Sequence, residues 1–304
     1  MNYTKDFSVI VPCWRGAAHF LPTLFNSIPD RGEIEIIVVD NSQEPLRREE
    51  IDSKREIVLL HSAPERHAGG SRNDGMAAAK GKWLLFADSD DFYSQDAFDI
   101  YYKHLNTDAE IVYTGMGGVY ADTGEPSNRG DSYKQKVHDY CTGIMSEERL
   151  RINFASPCCK MVSHALVDRE NLRYDEIRAS NDIYFSMTSG YYATKIEAED
   201  VVTYIATVNR GSLTKRRDYE VIKARLYGKL HCNQFLREHG LSQYQYSIMF
   251  ALAESRHFGF GKTWEFINMI LRFKQNPFIG ISRWMRTAKA NKEIDKSQAQ
   301  YIIN

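Results

Sequence analysis

Ile34-Glu35-Ile36-Ile37-Val38-Val39-Asp40 runs directly into Asn41-Ser42. Apart from Glu35, the run is apolar and β-branched until it ends on a carboxylate. A short run of this kind suits a strand buried on both faces. Working outward, Phe7-Ser8-Val9-Ile10-Val11-Pro12 is a second such run, stopped by proline, and Ile57 to Leu60, Trp83 to Ala87 and Glu110 to Thr114 follow. Between them the apolar period changes. Phe20, Leu21, Leu24, Phe25 and Ile28 have helical spacing, Asp74 to Lys80 is an alanine-rich helix stopped by Gly81, and Gln95 to Leu105 is a further helix. Strands alternating with helices predict a parallel sheet covered on both faces. In such sheets ligands bind beyond the carboxyl ends of the strands. That directs attention to Cys13-Trp14, Asp40-Asn41-Ser42 and Asp88-Ser89-Asp90-Asp91.

The chain has 304 residues, enough to bury a substantial core. Lys+Arg 39 against Asp+Glu 40 gives a net charge of -1, which argues against whole-chain attraction to nucleic acid. An aromatic content of 12% argues against disorder. Five cysteines at irregular spacing, with no CxxC pair, argue against a disulfide scaffold or a structural zinc site. Met1 to Asp6 has no basic leader segment, and no stretch of about 18 uninterrupted apolar residues occurs. A reducing cytoplasm is the simplest location. Residues 119–140 turn polar and Gly/Asp/Ser-rich and read as a long loop, 141–214 mix helix and strand signals, and 215–304 are almost wholly helical in pattern. A boundary is expected near residue 215.

Asp88-Ser89-Asp90-Asp91 follows a strand directly. Three carboxylates within four residues repel one another, and a hard divalent cation such as Mg²⁺ or Mn²⁺ offsets that repulsion while keeping sites open for phosphates. The competing reading is an acidic turn that caps the next helix, and position at a parallel-strand end favours the metal. Asp40 reads as a hydrogen-bond acceptor for a base or ribose, or as an ordinary turn residue. Gly69-Gly70-Ser71-Arg72-Asn73-Asp74-Gly75 allows close approach to a ligand and offers the planar Arg72 fork, or is simply a loop-to-helix junction.

Four segments in this order, Phe7 to Pro12, Ile34 to Ser42, Gly69 to Gly75 with Ala77 to Gly81, and Phe86 to Asp91, resemble glycosyltransferase family 2. The resemblance covers residues 6–115 well and 141–214 more loosely. It implies the GT-A fold, an α/β, Rossmann-like, mostly parallel sheet with helices on both faces, occupying 1–214 with a nucleotide-sugar part at 1–115 and an acceptor part at 116–214. A helical region at 215–304 follows. It also implies inverting transfer of a sugar from a nucleotide-diphosphate donor, a UDP-sugar being the expected case, to a hydroxyl of a glycan or lipid-linked acceptor in surface polysaccharide synthesis. By position, Pro12, Cys13 and Trp14 would line the nucleobase pocket, Asp40 would contact base or ribose, Arg72 would face the nucleotide, and Asp88 would approach the ribose or sugar. Asp90 would bind the Mn²⁺ or Mg²⁺ cofactor, with Asp91 assisting. The family's acidic pair corresponds to Asn181-Asp182. Its first acid is replaced, which leaves Asp182 as the catalytic base. Arg210 and Ser212, in Asn209-Arg210-Gly211-Ser212-Leu213-Thr214, match a loop that would close over the diphosphate.

Two other readings stay open. A sugar-phosphate nucleotidyltransferase would use a similar sheet, but Pro12-Cys13-Trp14 replaces the Gly-, Arg- and Lys-bearing first strand end it needs. A non-catalytic sugar-nucleotide-binding module would tolerate Asn181. In the tail, Lys262 to Lys274 and Phe278 to Lys292 set basic residues beside Trp, Phe and Ile. This pattern suits peripheral contact with the inner face of the cell membrane, packing on the catalytic domain, or a homodimer interface.

Overall fold

A computed structural model describes residues 3–208 and 217–279, which fall into two compact units, 1–215 and 216–304. In the first unit the order is β1 (Lys5–Cys13), α1 (Leu21–Asn26), β2 (Ile34–Asp40), β3 (Val58–His61), α2 (His67–Ala78), β4 (Gly81–Phe86), β5 (Phe92–Tyr93), α3 (Ala97–Lys103), β6 (Ile111–Tyr120), α4 (Asp131–Cys141), α5 (Glu147–Asn153), β7 (Lys160–Ser163), α6 (His164–Arg169), α7 (Ile183–Tyr192) and β8 (Ile196–Val208).

The strands form one eight-stranded sheet in the order β3-β2-β1-β4-β7-β6-β8-β5. β3, β2, β1 and β4 are mutually parallel, and β6 and β8 are parallel to each other. β7 runs antiparallel to both β4 and β6, and β5 antiparallel to β8. Register brings the carboxyl ends into line, with Cys13 opposite Asp40 and Asp40 opposite His61. β2 is buried along its whole length, as its unbroken apolar run requires.

Strand alternation places helices on both faces. Phe7 of β1 packs edge-on against Phe98 and Tyr102 of α3 and its C-terminal end. Ile10, three residues on and therefore on the opposite face, lies under Gly75 of α2, where a Cβ would stand 2.4 Å from its Cγ2.

The structure departs from the sequence expectations in three places. The helix expected at Asp74 to Lys80 begins at His67, so Gly69 to Asn73 are helical rather than a loop. Glycine disfavours a helix interior by about 1 kcal/mol, but here it permits close packing. A Cβ on Gly69 would stand 2.0 Å from the Asp175 carbonyl oxygen. The segment read as a loop at 119–140 contains α4, which buries Val137 on one face of an otherwise polar helix. The helix expected at 20–28 is shorter, α1 at Leu21–Asn26, and a 3-10 turn at Arg15–Phe20 leads into it.

The second unit comprises α8 (Tyr219–Glu238), α9 (Met249–Ser255) and α10 (Phe260–Arg272). Its own core is made by Ile222, Leu226, Leu230, Ile248, Phe266 and Ile270. The Asp218 side chain caps α8 by accepting from the Val221 amide at 3.2 Å. Among the described residues no helix is long and apolar enough to cross a membrane. None of the five cysteines is in a disulfide, and Cys141 is exposed.

Candidate active site

The carboxyl ends of β1, β2 and β4 meet at one edge of the sheet. Cys13, which ends β1, is buried with its thiol close to Asp40, Ser89 and Asp90. Burial, reinforced by the Asp40 charge, pushes that thiol up to about 12, so it stays protonated and is no nucleophile. Pro12 is buried inside β1, whereas Trp14 is 62% exposed. The indole lies over Gly16, where a Cβ would meet the ring at 2.1 Å. Of the three residues expected to line a nucleobase pocket, Trp14 is the one that presents a ring face outward.

Asp40 is buried, and its oxygens are occupied by its own loop. Oδ1 accepts from the Ser42 hydroxyl at 2.5 Å and the Ser42 amide at 3.1 Å, while Oδ2 accepts from the Leu46 amide at 2.8 Å and lies 3.0 Å from His61 Nδ1. Burial alone would raise its pKa, but these hydrogen bonds hold the carboxylate below its usual range. A base or ribose would have to compete with contacts that fold residues 41–46.

The turn after β4 divides its three carboxylates by environment. Asp91 is turned inward, accepting from the Tyr204 hydroxyl at 2.9 Å and from the Thr207 amide at 2.7 Å. Tyr204 in turn accepts from the Asp88 amide at 2.9 Å. The buried Tyr204 of β8 thereby ties the first and last residues of the turn together. Burial, and then the charges of Asp88 and Asp90, push Asp91 well above the ordinary carboxylate range. Asp88 is 43% exposed at its side chain and Asp90 is half-buried. Among the described residues no three His, Cys, Asp or Glu side chains form a metal cage. A divalent cation that binds chiefly to substrate phosphates needs only one or two carboxylates. The donor set here fits that mode through Asp88 and Asp90, while both Asp91 oxygens already accept hydrogen bonds.

Arg72 links this turn to the loop that precedes α7. It is buried in α2 and donates through Nη2 to Asp88 Oδ1 at 2.5 Å and through Nη1 to Asn181 Oδ1 at 3.0 Å. Its guanidinium lies 5.4 Å from the centroid of the Tyr174 ring, and its Nε has no acceptor. Burial works against the charge most strongly, but Asp88, together with Tyr174, Cys158 and Asp182, outweighs it and raises the pKa above the ordinary arginine value. Asn181 therefore keeps the hydrogen bond that an acid would make there, without the charge.

Asp182 stands at the N-terminus of α7 yet makes no capping hydrogen bond with its side chain. Burial raises its pKa, Arg72 and Lys160 pull it back, and Asp88 pushes it further up. The loop that carries it is fastened to α2. Asn73 donates to the Tyr174 carbonyl at 3.0 Å and accepts from the Tyr174 amide at 2.8 Å, and Arg66 bridges Asp74 at 2.7 Å and Glu176 at 2.6 Å. His67, Cys159 and Ser180 adopt left-handed φ of 55°, 50° and 57°. Two of the three immediately precede Lys160 and Asn181, so strained backbone gathers around Arg72 and Asp182. Cys158 and Cys159 are buried thiols, Cys159 raised to about 12.

The structure thus brings together Cys13, Trp14, Asp40, Arg72, Asp88, Asp90, Asp91 and Asp182, residues at or near the strand ends and facing loops. Arg210 and Ser212 lie outside the described residues. Sequence reasoning missed Tyr204, Thr207 and Tyr174. No local motif marks them, because Tyr204 reaches Asp91 across 113 residues through the pairing of β8.

The profile of glycosyl transferase family 2 matches residues 8–169, more than half of the chain. The chain belongs to glycosyl transferase family 2. It is 25% identical over 276 residues to the poly(ribitol-phosphate) beta-N-acetylglucosaminyltransferase TarS of Staphylococcus aureus (84% of this chain, 45% of that protein). It is 22% identical over 266 residues to a poly(ribitol-phosphate) beta-glucosyltransferase of Bacillus spizizenii (84% of this chain, 40% of that protein). The chain thus spans less than half the length of either relative. Among solved structures, TarS residues 1–349 with UDP-GlcNAc superimpose with a TM-score of 0.61 at 21% identity, covering 88% of this chain and 80% of that one. That likeness establishes the fold, the mixed α/β sheet of the GT-A type.

Proposed function

We propose that this chain is an inverting glycosyltransferase that moves a sugar from a nucleotide-diphosphate donor, a UDP-sugar, to a hydroxyl of a glycan or lipid-linked acceptor in surface-polysaccharide synthesis. The observation that carries the reading is the Arg72 bridge. One buried cation joins the acidic strand tip, assigned in this reading to the donor, to the Asn181-Asp182 loop, assigned to the acceptor. The UDP-GlcNAc held by the similarly folded TarS supports the donor class, and the poly(ribitol-phosphate) named for both relatives supports a cell-surface polymer as acceptor.

In this reading Trp14 stacks on the nucleobase, and Arg72 orients Asp88 against the sugar end of the donor. The acceptor hydroxyl attacks the anomeric carbon from the face opposite the diphosphate. Its proton passes to a carboxylate oxygen of Asp182 as the new bond forms. Charge builds on the departing diphosphate, where Arg72, and Arg210 and Ser212 from outside the described residues, supply donors. A Mn²⁺ or Mg²⁺ ion held by Asp90 and Asp88 would supply electrostatic stabilisation of that leaving group. No protein nucleophile is required, which agrees with the protonated state of Cys13 and Cys159.

Titration calorimetry with UDP-sugars and with GDP- and TDP-sugars, each with and without Mn²⁺, tests the reading. Binding of a UDP-sugar that needs Mn²⁺ and is lost in Asp90→Ala is the expected result. Unchanged affinity in that variant removes the metal from the scheme. A binding module would hold the donor but neither hydrolyse nor transfer it, and a nucleotidyltransferase would release pyrophosphate from a nucleoside triphosphate.

A further inference from the structure

The helix α10 carries two separate apolar stripes. Phe266 and Ile270 are buried in the core of the second unit. Phe260, Trp264, Ile267 and Leu271 stand at i, i+4, i+7 and i+11 and share another face, roughly 110° round the helix from the first. That second face is open, with Phe260 87% exposed, Trp264 52% and Leu271 64%, and Phe278 just beyond the helix is 68% exposed. A helix packed only on its own domain has no physical reason for a second stripe of large side chains.

Charge and area identify what the stripe meets. Residues 256–279 contain Arg256, Lys262, Arg272 and Lys274 against a single acid, Glu265. That acid is already engaged by Tyr219 and by Lys223, the latter at 3.1 Å. The sequence beyond continues the bias, with Arg283, Arg286, Lys289, Lys292 and Lys296 against Glu293 and Asp295. The stripe is about 16 Å long and offers on the order of 400 Å². That is about half of the roughly 800 Å² each partner contributes to a stable protein interface. It is ample for a helix lying in a headgroup layer, where aromatic rings sit at the acyl boundary and lysine or arginine stems reach back to phosphates.

We propose that α10 docks on an anionic lipid surface, inserting Phe260, Trp264, Ile267 and Leu271 at the headgroup boundary with the exposed Arg272 and Lys274 against the lipid phosphates. This does not depend on the transfer reading, since a lipid-bound protein of any activity would show it. The test is sedimentation of the full chain with vesicles of phosphatidylcholine alone and of phosphatidylcholine with phosphatidylglycerol. The chain is expected to pellet with the anionic vesicles only. The double variant Trp264→Ser/Leu271→Ser, which alters exposed side chains and keeps the melting temperature, should pellet at least about tenfold more weakly. Arg272→Gln/Lys274→Gln provides an independent check, each lost cation weakening binding about fivefold. Three results would overturn the proposal: no pelleting of the unaltered chain, equal pelleting of all variants, or a self-association in sedimentation equilibrium that Trp264→Ser/Leu271→Ser abolishes while vesicle binding persists.

Discussion

At the scale of single residues, the decisive contrast is between carboxylates that the fold has already used and those it has not. Asp40 and Asp91 spend their oxygens on loop amides and hydroxyls. Asp182 makes no capping bond although it holds the helix position where an aspartate usually does so. A carboxylate that accepts from its own backbone amide but caps no helix, with its pKa raised chiefly by burial, is poised to accept a proton. The sign of the pH dependence follows. Asp182 works as a base only when deprotonated, so kcat/KM should fall as pH drops through a value above the ordinary aspartate pKa of about 3.9. Asp182→Asn keeps the shape and removes the base. It should lower kcat by roughly 10²–10⁴-fold, leave donor affinity within about twofold, and flatten the acidic limb of the profile. An acidic limb that persists unchanged in the variant would assign the proton to another group. Much of this residue pattern was legible in the sequence because Asp40 and Asp88 directly end or follow strands that can be read from their apolar runs. Tyr204 was not, because its value lies in a contact that only sheet pairing creates.

Among the elements, α2 explains both what the sequence revealed and what it concealed. Glycine weakens a helix by exposing backbone and adding chain entropy to the unfolded state, so Gly69-Gly70 reads locally as a break. The tertiary contact reverses that preference. Gly69 lets α2 touch the 174–182 loop, and Arg66 just before the helix, with Arg72 and Asn73 on it, then bind that loop through Glu176, Asn181 and Tyr174. Helix α4 was concealed for the opposite reason, since its sequence is polar and only one face meets the sheet. β2, buried on both sides, left no such ambiguity. Gly69→Ala tests the coupling. Its Cβ would stand 2.0 Å from backbone at Asp175 and 3.2 Å from the Asn181 side chain, so the loop must yield. The variant is expected to lose about 1–3 kcal/mol of stability and to lose turnover more than donor binding, because the displaced loop carries Asp182. A melting temperature and a turnover rate that both match the unaltered chain would show that α2 does not position the base.

At the scale of the whole molecule, two cores make separate contributions to stability. The first gathers residues from Phe7 to Ala206 around the sheet, and the second gathers Ile222 to Ile270 within three helices, with no buried residue common to both. Cooperative unfolding follows shared buried surface, so calorimetry should resolve two transitions. Leu226 is fully buried in the second core, and Leu85 is 1% exposed in the first. Leu226→Ala should cost about 2–5 kcal/mol and lower one transition alone, whereas Leu85→Ala should lower the other. A bound nucleotide-sugar supplies the assignment, because a ligand raises only the transition of the unit that holds it. In the proposed scheme every described donor contact, from Trp14 to Asp182, belongs to the first unit, so saturating UDP-sugar should move the transition that Leu85→Ala moves. A single transition shifted equally by both substitutions and by the ligand would mean that the two cores unfold as one, and the helical unit would then have to be treated as part of the catalytic scaffold.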